Sequence, residues 1–529
     1  MAEDASPSRG FERHAAITML GTIISRVFGL AREAVFGRLI GVTDAASAFS
    51  FAFMVPNLFR RLFGEGALSS ALVPELAQLD DANPAVAERL AAITLARVTL
   101  FLAVVVVVAE VIVLLLPRGD EASQLGLRLL AVTLPYVPLI CLAALGAAVL
   151  QVRGRFGVAS MLPILLNVVL IGAVVAAWCM GNGPVGDDRI TIVAQGVIVA
   201  GLAQAAWAMV FVYRTRRRLR RTVETDREAE HAFRRVARRV VPLVFGLGVL
   251  QLNTLFDGLI ASWPTIVGDT IFGYPYPLDD TAMATLTYAS RLYEFPLGVF
   301  GIAVATAIFP QLSREVSTPT AFLATLQRGI RLAFFIGLPA SVGIVLVRHS
   351  FAAVIYQGGA FNASDVANVA SVLLAYAVAI WSYSLTHVLV RAFYARDEAM
   401  ASVKIGICVV LLNVTLNLAF VFGTDLGVAG LAWSTAICSL VQTFVLGLVL
   451  RGRLGGVLSA AVRRSIAATL IASIVMGSVV WTVRFMLPKD NAWSWQLLTL
   501  GVMVACGGLV FVVVAAIQRR PELRWAIGR

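Results

Sequence analysis

The segment Ser25–Pro74 largely decides how this chain has to fold, and it reads SRVFGLAREAVFGRLIGVTDAASAFSFAFMVPNLFRRLFGEGALSSALVP. Its apolar residues predict two consecutive hydrophobic helices. Eight charged residues interrupt them: Arg26, Arg32, Glu33, Arg38, Asp44, Arg60, Arg61 and Glu65. A charged side chain at the centre of a bilayer costs at least about 2.5–3.5 kcal/mol. Arginines near a helix end, such as Arg38 and Arg61, could reach the membrane surface instead. Because Arg26 and Arg32 have apolar sequence on both sides, we predict that this segment lines a polar cavity inside a membrane protein.

The whole chain has the composition of a membrane protein. Of its 529 residues, 59% are hydrophobic and 14% are charged, whereas soluble domains carry about 25% charged residues. The mean hydropathy is +0.85. Apolar runs of about 20 residues, the length that spans a bilayer, recur fourteen times between residues 15 and 518. We therefore predict an all-α polytopic membrane protein with about 14 transmembrane helices.

Basic residues are distributed unevenly around these spans. With the N-terminus inside, 28 of them fall in cytoplasmic segments and five in outside segments, which is the positive-inside pattern. Both termini are thus predicted to be cytoplasmic. Eleven arginines lie within 214–239, where we predict an amphipathic helix on the membrane surface, in contact with anionic lipid. This asymmetry accounts for most of the net charge of +12 without a nucleic-acid partner.

Two short matches indicate an internal duplication. ALSSALVPEL (Ala67–Leu76) aligns with AVATAIFPQL (Ala303–Leu312) at an offset of 236 residues, and LLNVVL (Leu165–Leu170) aligns with LLNVTL (Leu411–Leu416) at an offset of 246. Each offset corresponds to six spans, an even number, so the two six-helix halves are predicted to run parallel with a substrate site between them. The predicted organisation is a cytoplasmic tail (1–14), an N-terminal half (15–213), a basic linker (214–239), a C-terminal half (240–450), and helices 13 and 14 with a cytoplasmic tail (451–529).

Charged residues inside the spans are the candidates for substrate binding. Arg26 and Arg32 are six residues apart, about 120° around an α-helix. Gly29 between them weakens the helix, so a local break could turn both guanidinium groups inward. In the second half, Arg291 and Glu294 stand at i and i+3 inside an apolar run. That pair could also be purely structural.

Other polar residues inside spans leave two interpretations open. Asp257, Asn413 and Asn417 could coordinate a cation, or the asparagines could form hydrogen bonds between helices. His387 is the one histidine inside a predicted span, and we predict it to be buried and satisfied. The sequence contains no phosphate-binding glycine loop with its lysine and no metalloprotease motif, which argues against an enzyme or a primary pump. Because the arginine fork suits phosphate oxygens, the pattern favours a carrier for an anion with a large headgroup.

The chain resembles a known family, the MurJ (MviN) lipid II flippases of the multidrug/oligosaccharidyl-lipid/polysaccharide exporter superfamily. Four segments carry the resemblance: SRVFGLAREA (Ser25–Ala34), VPNLFRRLFGEGALSSALVPEL (Val55–Leu76), YASRLYEFPLGVFGIAVATAIFPQLS (Tyr288–Ser313) and RAFYARDEAMASVK (Arg391–Lys404). The resemblance implies fourteen spans around a V-shaped cavity. It also implies transport of an undecaprenyl-pyrophosphate-linked disaccharide-pentapeptide, lipid II, to the periplasmic leaflet of the bacterial inner membrane for peptidoglycan and cell-wall synthesis.

The resemblance also implies roles for individual residues. Its cavity arginines fall on Arg26, Arg32, Arg60 and Arg291, with acidic partners at Glu65 and Glu294. The chain departs from the family pattern at Ser47, where an aspartate is usual. Asp44 stands three residues earlier and could take over that role, because i and i+3 share a helix face.

Coupling and partners follow from the same resemblance. No organic cofactor is expected, and transport could be coupled to Na⁺, with Asp257, Asn413 and Asn417 as candidate ligands, or to the membrane potential. The expected partners are lipid II, membrane lipids and cell-wall synthesis proteins. Two alternatives stay open: a flippase for another polyprenyl-pyrophosphate oligosaccharide, and a non-transporting membrane scaffold, which would not need arginines in its cavity.

Overall fold

The computed structural model of the chain describes residues 8–115, 121–181, 183–217, 219, 222–298, 302–488 and 490–526. Parts of the predicted N-terminal tail (1–7), basic linker (218, 220 and 221) and C-terminal tail (527–529) lie outside the described residues. The side chain of Glu65 also lies outside them. The chain divides into two compact units, Met1–Met283 (unit 1) and Ala284–Arg529 (unit 2).

Unit 1 is helical apart from one short hairpin. Its described elements are α1 (Ser8–Ile40), α2 (Asp44–Phe59), a π-helix (Arg60–Ala67), α3 (Leu68–Ala82), α4 (Pro84–Leu115), α5 (Glu121–Thr133), α6 (Tyr136–Val152), α7 (Phe156–Ser160), α8 (Leu162–Cys179), α9 (Asp187–Arg214), α10 (Val223–Ala261), α11 (Trp263–Ile266), β1 (Thr270–Ile271) and β2 (Tyr274–Pro275). The two strands pair antiparallel. Within the unit, α1 packs on α8 and α2 packs on α5, which brings the charged helices onto apolar neighbours.

Unit 2 is helical throughout its described residues. Its elements are α12 (Ala282–Pro296, starting at the boundary), α13 (Ile302–Arg314), α14 (Pro319–Tyr356), α15 (Ala363–Val378), α16 (Ile380–Ala395), α17 (Ala399–Gly423), α18 (Val428–Leu454), α19 (Ala460–Met486), α20 (Trp493–Ile517) and α21 (Pro521–Ala526). The long helix α14 contacts α15, α16, α19 and α20. A core of buried apolar residues joins α13, α14, α16 and α18.

These helices confirm the prediction of an all-α polytopic membrane protein. Among the described residues, nine helices are long and apolar enough to cross a membrane, or ten if α15 and α16, which meet at a bend of 42°, form one span. The count of fourteen spans therefore stays a prediction. The predicted halves 15–213 and 240–450 also stay a prediction, because they rest on sequence repetition and the two units rest on compactness.

Irregularities of the helices recur at the offsets of the predicted duplication. The π-helix covers Arg60–Ala67, and residues 297 and 298 adopt π-helical geometry as well, 236 residues after 61 and 62. The break before Tyr136 has a counterpart at Ala379, between α15 and α16. The aligned asparagines Asn167 and Asn413 are both buried. Because a π-turn or a break in a helix is costly in water-free surroundings, its recurrence at matching positions supports the duplication.

The predicted surface helix of the basic linker is not a separate element. Helix α10 runs without interruption from Val223 to Ala261 and so joins the linker to the seventh predicted span. Its N-terminal part packs into a core with α3, α4 and α6. The carboxylate of Glu75 accepts hydrogen bonds from Arg235 at 2.6 Å and from Arg239 at 3.2 Å. Carboxylates of the protein itself therefore neutralise part of the linker.

A second cluster of charged residues fixes the C-terminus in unit 2. Glu522 of α21 is completely buried and accepts hydrogen bonds from Arg331 Nε at 2.7 Å, Arg520 Nε at 3.0 Å and Ser465 Oγ at 2.6 Å. The ring of Trp525 lies under Arg331, with Cζ 4.8 Å from the ring centroid. We call Arg331, Ser465, Arg520 and Glu522 the C-terminal clamp, since they join α14, α19 and α21.

Candidate functional site

Helix α1 carries the first two candidate arginines. Arg32 Nη2 and Glu33 Oε1 form an ion pair, and these side chains are only 13% and 10% exposed. Glu33 thus serves as a counter-ion for Arg32, its neighbour in the sequence. Arg26 is half-buried, and its guanidinium has no carboxylate partner in the described part of the chain. Arg26 is therefore available to an anionic ligand.

The predicted break at Gly29 is wrong, because α1 continues without interruption from Ser8 to Ile40. Gly29 lies where α8 packs against α1, and the packing there leaves room for a Cβ. A Cβ at this position would lie 3.7 Å from Nδ2 of Asn167, and that nitrogen donates to the carbonyl of Ser25 at 3.4 Å. The buried asparagine of the first repeat thus holds α8 against α1 one residue before Arg26.

A proline sets the geometry around Arg60. Pro56 has no N–H, so the carbonyl of Ala52 lacks its usual helical donor. The buried hydroxyl of Thr133 on α5 donates to that carbonyl at 2.8 Å. One turn later Arg60 opens the π-helix, and its Nε donates to Asn57 Oδ1 at 3.0 Å. Such π-segments are frequent at functional sites.

Arg61 and Glu65 are four residues apart, a spacing that predicts an ion pair if the α-helix continues through both. The α-helix does not continue, since both residues belong to the π-helix Arg60–Ala67, in which backbone hydrogen bonds run from i to i+5. An i, i+4 spacing there no longer stacks two side chains one above the other as it does in an α-helix.

Asp44 lies in the first turn of α2, next to the capping residue Thr43, whose Oγ1 accepts from Ala46 N at 3.2 Å. Asp44 Oδ1 accepts from the N–H of Ala45 at 2.9 Å. Burial raises the pKa of the nearby Asp280, and the charges of Asp269, Asp44 and Asp279 raise it further. Asp44 therefore belongs to an acidic group of unit 1.

Ser47, the site of the usual family aspartate, has no exposed surface. A carboxylate there would be desolvated at a cost of several kcal/mol, which explains why a serine suits this packing. The substrate-binding role of Asp44, three residues earlier, stays a prediction.

The second-half candidates form an ion pair in unit 2. Arg291 Nη1 donates to Glu294 Oε2 at 2.9 Å, and these side chains are 26% and 36% exposed. The ring of Tyr293 stacks between Tyr376 at 4.5 Å and Tyr383 at 5.5 Å, measured between centroids. An accessible ion pair beside a row of tyrosines can exchange its internal bond for a bond to an incoming anion.

The candidate cation ligands fall in different units. In unit 2, Asn417 Nδ2 donates to Asn413 Oδ1 at 3.1 Å, and Asn413 Nδ2 donates to Thr435 Oγ1 at 3.3 Å. These bonds agree with hydrogen bonding between α17 and α18. In unit 1, Asp257 of α10 is buried, and Asn253 Oδ1, one turn earlier, has no hydrogen-bond partner in the described part of the chain.

Two basic residues that were not among the predicted site residues, His387 and Arg391, lie on one face of α16. His387 is exposed rather than buried, so the prediction of a buried, satisfied histidine is wrong. Arg391, one turn further, donates from Nη2 to Thr306 Oγ1 at 3.3 Å, and its Cζ lies 5.2 Å from the ring centroid of Phe309. The i, i+4 spacing of two basic residues inside a span was the available signal.

These observations define a class of protein. A multi-pass helical membrane protein with arginines inside the apolar sequence of both units is a transporter rather than an enzyme.

Comparison with known proteins gives the family. The family model described as Lipid II flippase MurJ matches residues 36–502, and the chain belongs to this family. It is 32% identical to the probable lipid II flippase MurJ of Vibrio cholerae over 454 residues, which cover 82% of this chain and 81% of the relative.

Solved structures show the same fold. A lipid II flippase MurJ in an inward closed conformation superposes with a TM-score of 0.75 at 20% identity, covering 96% of this chain and 100% of the other. An inward-facing multidrug resistance transporter of the MATE family superposes with a TM-score of 0.64 at 16% identity, covering 82% of this chain and 96% of the other.

Proposed function

We propose that this protein flips lipid II from the cytoplasmic to the periplasmic leaflet of the bacterial inner membrane by alternating access. The observation that carries the proposal is the placement of arginines within apolar helices of both units: Arg26, Arg32 and Arg60 in unit 1, and Arg291 in unit 2. The family assignment and the relatives named as lipid II flippases support it.

The arginines would lower the cost of moving a charged headgroup through the membrane. A pyrophosphate carries about two negative charges, and moving it through about 30 Å of hydrocarbon is prohibitive without a polar lining. Guanidinium groups bind phosphate oxygens through two parallel hydrogen bonds. Arg26 is free to do so at once, whereas Arg32 and Arg291 would exchange bonds with Glu33 and Glu294. The polyprenyl tail would remain in the bilayer.

The positive-inside pattern places both termini in the cytoplasm. Partners of the transport cycle would be lipid II and membrane lipids, together with cell-wall synthesis proteins that consume the substrate. Glu65 and Asp44 would contribute polar contacts to the headgroup.

Resetting of the empty carrier would be driven by the membrane potential. An emptied cavity with net positive charge moves inward with a gain of about 2.3 kcal/mol per charge per 100 mV. A cation such as Na⁺ could assist at Asp257 in unit 1 or, separately, at Asn413 and Asn417 in unit 2. Their carboxylate and amide oxygens suit a hard cation, and the unpartnered Asn253 Oδ1 adds a buried oxygen beside Asp257.

The proposal is tested in a strain depleted of its own flippase. Wild-type protein should restore growth and expose lipid II in the outer leaflet, and Arg26→Ala or Arg32→Ala should abolish both while protein remains in the membrane. Lysine should rescue poorly because it lacks the bidentate fork.

Growth with all cavity arginines replaced would point to a scaffold and contradict transport. Rescue of a strain blocked in another polyprenyl-linked glycan, without rescue of lipid II, would identify a sister flippase instead.

A further inference from the structure

His387 and Arg391 form a basic pair on α16 that the arginines discussed above do not explain. They are one helical turn apart and thus share a face. The His387 side chain is exposed, and Arg391 is half-exposed, whereas Val388, Leu389 and Ala392 on the opposite face are buried in the core of unit 2. The pair therefore lies on the part of α16 that does not pack into this core.

The positive charge of Arg391 is not neutralised by a carboxylate in the described part of the chain. Arg391 bonds to the hydroxyl of Thr306 and lies over Phe309, and no carboxylate partner for it occurs among the residues that the structure describes. Arg396, five residues further, differs because it pairs with Glu398 at 3.1 Å. A cation inside a span without a counter-ion costs free energy unless it faces water or an anionic ligand.

A row of aromatic rings joins this pair to Arg291. Tyr383 precedes His387 by one turn and Arg391 by two turns, or about 12 Å of helix. The ring of Tyr383 stacks on Tyr293, which is adjacent in sequence to Glu294 of the ion pair. The contact between Tyr293 and Tyr383 therefore joins α12, which carries Arg291 and Glu294, to α16, which carries His387 and Arg391.

We propose that His387 and Arg391 form a second anion subsite, which binds a carboxylate of the peptide in the transported headgroup while Arg291 binds the pyrophosphate. This inference rests on the proposed function, because it takes the headgroup to be a disaccharide-pentapeptide. A guanidinium with a neighbouring imidazole donates to both oxygens of a carboxylate. The tyrosines at the contact between α12 and α16 give the sugars an amphipathic surface on which to lie.

The competing explanation is that Arg391 simply reaches the membrane surface from the last turns of α16. It makes a different prediction. An interfacial arginine would contribute equally to every lipid-linked substrate or to none, whereas a carboxylate subsite distinguishes substrates with a peptide from those without one.

The experiment measures binding to the full-length purified protein in nanodiscs with three probes: lipid II, lipid II with amidated peptide carboxylates, and undecaprenyl pyrophosphate. We expect Arg391→Ala and His387→Ala to weaken lipid II binding about 10-fold or more, as the loss of a charge-assisted hydrogen bond does, and to leave undecaprenyl pyrophosphate binding unchanged. Amidation should weaken binding to wild type by a similar factor and have no further effect on Arg391→Ala. Arg463→Ala, at an exposed position of α19, is the matched control and should bind all three as wild type does.

Three outcomes would overturn the subsite. They are unchanged lipid II affinity in Arg391→Ala, an equal loss for undecaprenyl pyrophosphate, and indifference of the wild type to amidation. If an alanine variant misfolds, the conservative variants Arg391→Lys and His387→Gln replace it in the binding experiment. Arg391→Lys should bind lipid II more weakly than wild type but more tightly than Arg391→Ala. Failure of the wild type to bind either pyrophosphate lipid would overturn the proposed function itself, and the subsite with it.

Discussion

Two of the arginine–glutamate arrangements in unit 2 differ in burial. In the C-terminal clamp, Glu522 has no exposed surface and accepts from two arginines and a serine. In α12, Glu294 is 36% exposed and accepts from Arg291 at 2.9 Å. A saturated, water-free carboxylate cannot exchange partners without leaving charges unpaired, whereas an accessible pair can. The comparison separates arginines that hold the fold from arginines that can bind a substrate.

The largest effect on stability is expected from a substitution of Glu522. Glu522→Ala leaves Arg331 and Arg520 without their shared carboxylate, and removal of one partner of a buried ion pair costs about 3–5 kcal/mol. We expect a large loss of unfolding free energy, measured by denaturant or thermal unfolding in detergent. Glu398→Gln, whose carboxylate pairs with Arg396 and Arg453 at the surface, is the control and should cost about 1 kcal/mol or less.

The same residue predicts a dependence of stability on pH. Burial alone would raise the pKa of Glu522, but hydrogen bonds from Ser465, its own backbone N–H and Arg331, with the charge of Arg520, hold this pKa below its usual 4.5. A lowered folded-state pKa means that the stabilisation is present above pH 4.5 and is lost as the pH falls through the folded value. Wild type should therefore lose stability below about pH 4.5 more steeply than Glu522→Gln does, and parallel curves for the two proteins would contradict the clamp.

The accessible ion pair between Arg291 and Glu294 is tested by Arg291→Ala. Because its ion pair is accessible, unfolding free energy should change by about 1 kcal/mol or less. Transport of lipid II should fall about 100-fold, equivalent to about 2.8 kcal/mol, as expected for a lost charge-assisted contact with phosphate. An unfolding assay beside a leaflet-specific lipid II assay separates the two quantities. A large loss of stability with little loss of transport would reverse the assignment.

A smaller effect on stability is expected from a buried hydrogen bond between uncharged groups in unit 1, which joins Thr133 to the carbonyl of Ala52. Thr133→Val removes the donor to the Ala52 carbonyl that Pro56 leaves unpaired, and an unsatisfied buried carbonyl costs about 1–3 kcal/mol. In a Pro56→Ala background the helix supplies its own donor, so the same change should cost less. A double-mutant cycle on unfolding free energy measures the difference. Equal costs in both backgrounds would show that the hydroxyl does not compensate for the proline.

The arginines proposed for the site can be recognised in the sequence because their signals are local. Arg26, Arg32 and Arg291 stand out as charges inside apolar runs. The failures concern backbone continuity and burial. Gly29 did not break α1, since the packing of α8 through Asn167 stabilises the helix there. Neither the exposure of His387 nor the π-register around Arg61 and Glu65 is visible in residue spacing, which assumes a regular helix.

The sequence by itself determined that this is a helical membrane protein and which arginines lie inside apolar sequence. Hydropathy and charge are properties of short segments, so no contact between distant residues is needed to recognise them. Only the tertiary structure decided which arginines are neutralised. Glu75 meets Arg235 across 160 residues and Glu522 meets Arg331 across 191, while Arg26 and Arg391 meet no carboxylate among the described residues. Ion pairing depends on which helices pack side by side, and that choice is made by burial over the whole unit rather than by spacing along the chain.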